Sequence, residues 1–259
     1  TVCVFDQNVI MLKSFLLAAS LFAVTAQAAL KDTDPPKAQA GVESYAAPQH
    51  MSLVYDLYRN GLKLGQVTDT LTRSGNSYTL SSETRASGPL KMLLPGTIRL
   101  ESTGLVTPQG LRPTQFRHSR SDAPHKLATA QFDWEQCSIA YQYKGRSWQV
   151  NDLQNGAQDQ LSQLYQFMFS PATPADFSLQ VISGRDLNDY HYARSDGGDI
   201  KTPLGVLNTQ QYERITQNPD QKAITVWVAP ARNNLPVQIR VTEDGVTLEQ
   251  RLVRASIKG

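Results

Sequence analysis

From Met51 onward, short runs of alternating apolar and polar residues are each closed by residues that tolerate positive φ, and this pattern constrains the fold more than any other feature. In the first run Leu53, Tyr55 and Leu57 fall on one face and Val54, Asp56 and Tyr58 on the other, with Asn60-Gly61 immediately after. Asn-Gly between alternating runs marks a two-residue hairpin, because both residues accept the left-handed backbone of a type I′ turn. Further turn signals stand at Ser74-Gly75-Asn76, Pro108-Gln109-Gly110, Asn155-Gly156, Asp196-Gly197-Gly198, Asn218-Pro219 and Asp244-Gly245. Strands joined by such tight turns run antiparallel, so the expected fold is mainly β: an antiparallel meander forming a curved sheet or open barrel.

One segment breaks the period of two. Between Asp159 and Phe169, Leu161, Leu164, Tyr165 and Met168 recur at helical spacing, with Phe167 and Phe169 beside the stripe and Pro171 and Pro174 after it. This is the one principal α-helix, expected to lie across the concave face of the sheet. Strands are expected at roughly 51-59, 63-73, 77-87, 97-106, 112-120, 127-135 and 138-143 before it. After it they are expected at 177-183, 186-195, 199-207, 209-216, 223-229, 235-243 and 246-256.

The first part of the chain reads differently. Lys13 precedes a ten-residue apolar stretch from Phe15 to Val24, and Ala26-Gln27-Ala28 stands before Ala29, as in a secretory signal peptide cleaved between Ala28 and Ala29. Ten residues span about 15 Å as a helix, about half of a hydrocarbon core, which is short for a transmembrane anchor. The organisation expected is therefore upstream residues and leader over 1-28, a Pro-containing flexible linker over 29-49 and a single β-rich domain over 50-257. Export to the periplasm follows from the leader. Cys3 would leave with it, so Cys137 is expected as a lone thiol in the mature chain.

Formal charge is +2, too balanced for a nucleic-acid partner bound by bulk electrostatics. His50, His118, His125 and His191 show no spacing that aims two imidazoles at one metal, and no nucleophile elbow or phosphate-binding glycine loop is present. Neither a cofactor nor an enzymatic reaction is implied. Asp196-Gly197-Gly198-Asp199 reads as a hairpin turn rather than a calcium loop. Arg112, Arg117, His118 and Arg120 form either an anion site or a solvated strand face.

Most informative for binding is Gly88-Pro89-Leu90-Lys91-Met92-Leu93-Leu94-Pro95-Gly96, an apolar run bounded by turn residues. It either packs on the protein's own core or forms a lip at a cavity mouth. The helix stripe is open to the same two readings. Leu93, Leu161, Leu164, Tyr165 and Met168 are accordingly the candidate ligand-binding residues.

Two groups of residues carry a family resemblance. Ser102-Thr-Gly104-Leu-Val106 with Gly110-Leu-Arg112-Pro113, Phe116 and Phe132-Asp133-Trp134 is the first. Thr202-Pro203-Leu-Gly205-Val-Leu207-Asn-Thr209 and Ile224-Thr-Val226-Trp227 leading to Asn234-Leu235-Pro236-Val237 is the second. Together they resemble the bacterial domain-of-unknown-function family 3108, over about Tyr55 to Leu252. That resemblance implies an exported protein and a fold, but no reaction and no functional residues. The Trp strand followed by Leu-Pro also looks like the half-barrel of periplasmic lipoprotein carriers. The expected function is non-enzymatic binding or carriage of a hydrophobic or amphipathic envelope ligand, such as a lipid or lipoprotein acyl chain. The alternative is a structural or protein-interaction module of the envelope.

Overall fold

The computed structural model describes residues 48–88, 96–170, 173–183, 186–218 and 221–258. In chain order the strands before the helix are β1 (His50–Arg59), β2 (Leu62–Ser74), β3 (Ser77–Ala86), β4 (Thr97–Thr107), β5 (Gly110–Arg120), β6 (Ala128–Asp133), β7 (Ser138–Tyr143), β8 (Arg146–Asn151) and β9 (Gln158–Asp159). Helix α1 (Ser162–Phe169) follows. Then come β10 (Asp176–Ser183), β11 (Asp186–Thr202), β12 (Gly205–Ile215), β13 (Ala223–Ala229), β14 (Leu235–Glu243) and β15 (Val246–Lys258).

All fifteen strands belong to one sheet, in the order β8 through β1, then β15 down to β9. Neighbours in the sheet are consecutive in sequence, except that β1 pairs with β15, from His50↔Lys258 to Arg59↔Leu248. Only β9 with β10 is parallel. The fold is mainly β, an open meander with a single α-helix among the described residues, as the alternation predicts. The Gln49 amide, just before β1, donates to the Lys258 carbonyl at 3.0 Å.

The helix fills the sheet's concave side. Leu161, Tyr165, Met168 and Phe169 join a core built on Met51, Leu53, Tyr55, Leu71, Leu80 and Ile139. Phe167 turns instead into a second cluster, where its ring stacks on Tyr212 with centroids 4.4 Å apart. A single short helix thus wedges two apolar clusters, each fully buried side chain contributing about 1.5–3 kcal/mol.

Two readings of the sequence are corrected. Asp196-Gly197-Gly198 is not a hairpin turn but a bulge inside the long β11, where the register with β12 shifts between Asp196 and Gly198. Gly198 takes φ +68° and its amide donates to Asp196 Oδ1 at 2.9 Å. A Cβ on Gly197 would lie 2.9 Å from the Trp227 ring, so the bulge lets that indole close onto the strand. The chain reverses instead at Pro203-Leu204, where Thr202 Oγ1 donates to the Gly205 carbonyl and accepts from the Leu204 amide. A further strand, β8, stands where none was expected. Cys137 sits at φ 49° in the β6–β7 turn.

Candidate functional site

Two aspartates lie under the helix. Alternation places Asp69 on the inward face of β2 between Val67 and Leu71, and it is only 2% exposed. Tyr165 of α1 donates its hydroxyl to Asp69 Oδ2 at 2.5 Å, and Tyr55 on β1 donates to the Pro236 carbonyl at 2.9 Å, with its hydroxyl 3.4 Å from that of Tyr165. Burial pushes the Asp69 carboxyl up to about 6, while hydrogen bonds from Ser82 and Tyr165 pull it back.

The second, Asp159, is fully buried at the start of the helix. Its Oδ1 accepts the amides of Leu161 and Ser162, each at 2.8 Å, which satisfies donors that a helix N-terminus leaves open. Ser102 on β4 donates to its Oδ2 at 2.5 Å, and the Ser102 hydroxyl also pairs with Tyr78 at 2.9 Å. Burial again raises the carboxyl to about 6, against hydrogen bonds from Ser102 and the helix amides.

At the other end of the helix, Asn233 and Asn234 hold left-handed backbones in the β13–β14 turn. Their side-chain amides donate to the carbonyls of Met168 and Phe167, both at 3.1 Å. Gln163 accepts from Tyr192, and Gln166 accepts from the Leu111 amide. These contacts bolt α1 to the sheet at both termini and along its length. The acidic groups are sealed from solvent, so their chemistry is that of anchors which titrate, not of groups offered to a substrate.

The candidate ligand residues are consequently divided. Leu161, Tyr165 and Met168 are buried in the main core, and Leu164 is half-buried between the two clusters. Leu93 lies outside the described residues, as do Ala28 and Ala29. An open cavity does exist, at the end of the sheet where β1, β3, β5 and β14 finish and β2, β4 and β15 begin. It measures about 400 Å³, with Leu57, Leu64, Val67, Ile98, Val241 and Leu248 among the side chains lining it. Arg85, Arg120, Asp122, Lys222 and Glu243 stand at its edge. None of the helix stripe reaches it. Its wall comes from strands spread between positions 57 and 250, so no local motif announces it; the visible sequence signal is inward-facing residues near strand ends. Gly96, one boundary of the apolar run read above, also lines it.

The rim charges are matched locally. Arg120 bonds Asp122 through two nitrogens, at 2.9 and 3.2 Å, and holds the Asp122 carboxyl below its ordinary range. Lys222 Nζ lies 3.3 Å from Glu243, and Arg85 pairs with Glu83 at 2.6 Å.

Other possible sites offer less. Ser178 and His191 pair across β10 and β11 at 3.1 Å, but both are exposed on a strand face and the bond uses His191 Nδ1, with no carboxylate among the described residues bonded to that ring. A groove of about 770 Å³ runs past Trp134, whose ring is covered by Arg112 at 4.8 Å. Among the described residues no three of His, Cys, Asp and Glu converge as metal ligands, and no helix is long and apolar enough to cross a membrane.

Comparison with known proteins places this geometry. The model of a family described as a protein of unknown function, DUF3108, matches residues 54–251. A solved beta-barrel-like protein of domain of unknown function DUF1849 from Brucella abortus is similar in fold, with a TM-score of 0.53 at 12% identity, covering 82% of this chain and 98% of that one. At that identity the likeness concerns fold alone. A DUF1329 family protein from Desulfovibrio piger, at 11% identity and covering 82% of this chain and 87% of its own, has a TM-score of 0.20 and carries no argument. No curated protein matches.

Proposed function

From the premise that this chain belongs to the DUF3108 family of unknown function, we propose that it is an exported, periplasmic, non-enzymatic binding protein for an amphipathic envelope ligand. The ligand's apolar chain enters the cavity at the open end of the sheet. What supports this reading is the cavity's composition: an apolar lining of about 400 Å³ beneath a rim of Arg, Lys, Asp and Glu. Ligand pockets combine an apolar wall with a few convergent polar groups in this way, within a volume range of about 300–1,000 Å³. The ligand site therefore moves from the helix stripe, which serves as core, to the strand ends.

The test is saturable binding of a neutral amphiphile, 1-dodecanol, to the full chain, read by displacement of Nile red. Leu248→Glu puts a carboxylate on a partly exposed wall residue and is expected to weaken binding at least about tenfold without unfolding the protein. Absence of saturable binding, or binding indifferent to Leu248→Glu, overturns the proposal. Native mass spectrometry of detergent-free periplasmic material should then show a bound lipid-sized mass.

A further inference from the structure

Arg214 differs from every cation on the cavity rim. It faces inward from β12, opposite Tyr192 on β11 and two residues from Tyr212, and is only 9% exposed. Its guanidinium stacks on Tyr190, 3.6 Å from the ring centroid. One terminal nitrogen donates to the Lys222 carbonyl at 2.5 Å, and the buried Nε has no partner among the described residues.

No carboxylate among the described residues lies within ion-pair reach of Arg214, whereas Arg85, Arg120 and Lys222 each have one. A desolvated guanidinium without a counter-charge is costly, and most buried charges are paired. Lys222 links the two places, since its carbonyl holds Arg214 and its side chain lines the cavity. Arg214 does not itself line the cavity, and its uncompensated positive charge is tied to the open end through Lys222. In that low-dielectric surrounding it attracts an anion far more strongly than a solvated arginine would.

We propose, resting on the reading of the cavity as an acyl-chain site, that the ligand's polar end is an anion, a carboxylate or a phosphate, held by the field of Arg214 and by Lys222. Either anion is drawn by that field and can take a charge-assisted hydrogen bond from the Lys222 ammonium, which lines the cavity. Stacking on Tyr190 keeps the guanidinium fixed before the ligand arrives. Glu243 competes for Lys222, so the incoming anion exchanges that exposed partner for itself.

Dodecanoate, dodecyl phosphate and 1-dodecanol, each displacing Nile red from the full chain at low salt and neutral pH, separate the possibilities. At least one anion is expected to bind about tenfold or more tightly than the alcohol, in line with a charge-assisted hydrogen bond. The stronger of the two anions identifies the head group. Arg214→Met should reduce that preference to within about twofold while leaving 1-dodecanol binding unchanged. Lys222→Met, at a more exposed side chain, should reduce it about threefold and serves if Arg214→Met does not fold. Equal binding of all three probes by the wild type, or a preference that survives the substitution, overturns the inference alone. Failure of the alcohol to bind overturns the acyl-chain reading beneath it.

Discussion

Replacing Asp69 with Asn should flatten the pH dependence of stability between about pH 5 and 7.5. Burial raises the Asp69 carboxyl from 3.8 to about 6 in the fold. The native state then binds this proton more tightly than the unfolded chain does, so the associated stability is complete below about pH 3.8 and is lost as pH rises through about 6. Roughly two pKa units correspond to about 3 kcal/mol, of which about half is lost between pH 5 and 7.5. Asp159, also raised to about 6, adds a second contribution of the same sign and similar size. Carboxylates held low by arginines, Glu83 by Arg99 and Asp122 by Arg120, titrate mostly below this window. His118, lowered by burial and by Arg120, acts in the opposite direction but is common to both proteins and cancels in their difference. The assay is urea denaturation of the full chain followed by tryptophan fluorescence, for wild type and Asp69→Asn at both pH values. The variant should lose about 1 to 2 kcal/mol less than the wild type on going from about pH 5 to 7.5, whatever the amide does to absolute stability. Equal losses in the two proteins would refute the assignment of a proton to this buried site.

Two further substitutions test how the sheet and helix are held. Gly65→Ala would bring a Cβ to 2.1 Å from the Arg85 carbonyl on β3, where neither backbone can yield, and should cost more than about 2 kcal/mol or prevent soluble expression. Gly75→Ala, whose Cβ meets nothing within 4 Å, should cost only about 1–2 kcal/mol from its left-handed backbone; similar melting of the two variants would contradict the close pairing. Asn234→Ala removes the hydrogen bond to the Phe167 carbonyl and strains a backbone at φ 52°, with an expected loss of about 2–3 kcal/mol. Asn234→Gly relieves the strain, so thermal unfolding of the pair isolates the helix-terminal bond; no loss in either variant would remove Asn234 as an anchor.

Local chemistry made most strands legible. Leu53, Tyr55 and Leu57 face inward as the alternation requires, and Asn60-Gly61 turns the chain with both residues at positive φ. The Asp196-Gly197-Gly198 signal misled because aspartate and glycine favour a bulge as readily as a hairpin turn. Thr209 on β12 and Trp227 on β13, neither of them local to the signal, crowd Gly197 at that bulge. Similarly, the stripe on α1 says which side chains are buried but not what covers them. Asp69 could have been noticed as a carboxylate between Val67 and Leu71 on an apolar face, but its partner Tyr165 is set only by the docking of the helix. The cavity and Arg214 depend on seven or more strand ends meeting, which no single segment encodes.

Pairing of β1 with β15 also sets a schedule. A ribosome delivers β1 fourteen strands before the one that completes its second ladder. Until β15 emerges, one edge of β1 presents open backbone donors and acceptors to any other chain nearby, and the entropy of closing a long loop must be overcome before that ladder gains anything. The β2–β8 hairpins can form as they appear, whereas the seam between β1 and β15 is settled last. Crowded nascent chains are therefore most exposed to misassembly along that seam, and a slow final phase in refolding is its expected trace.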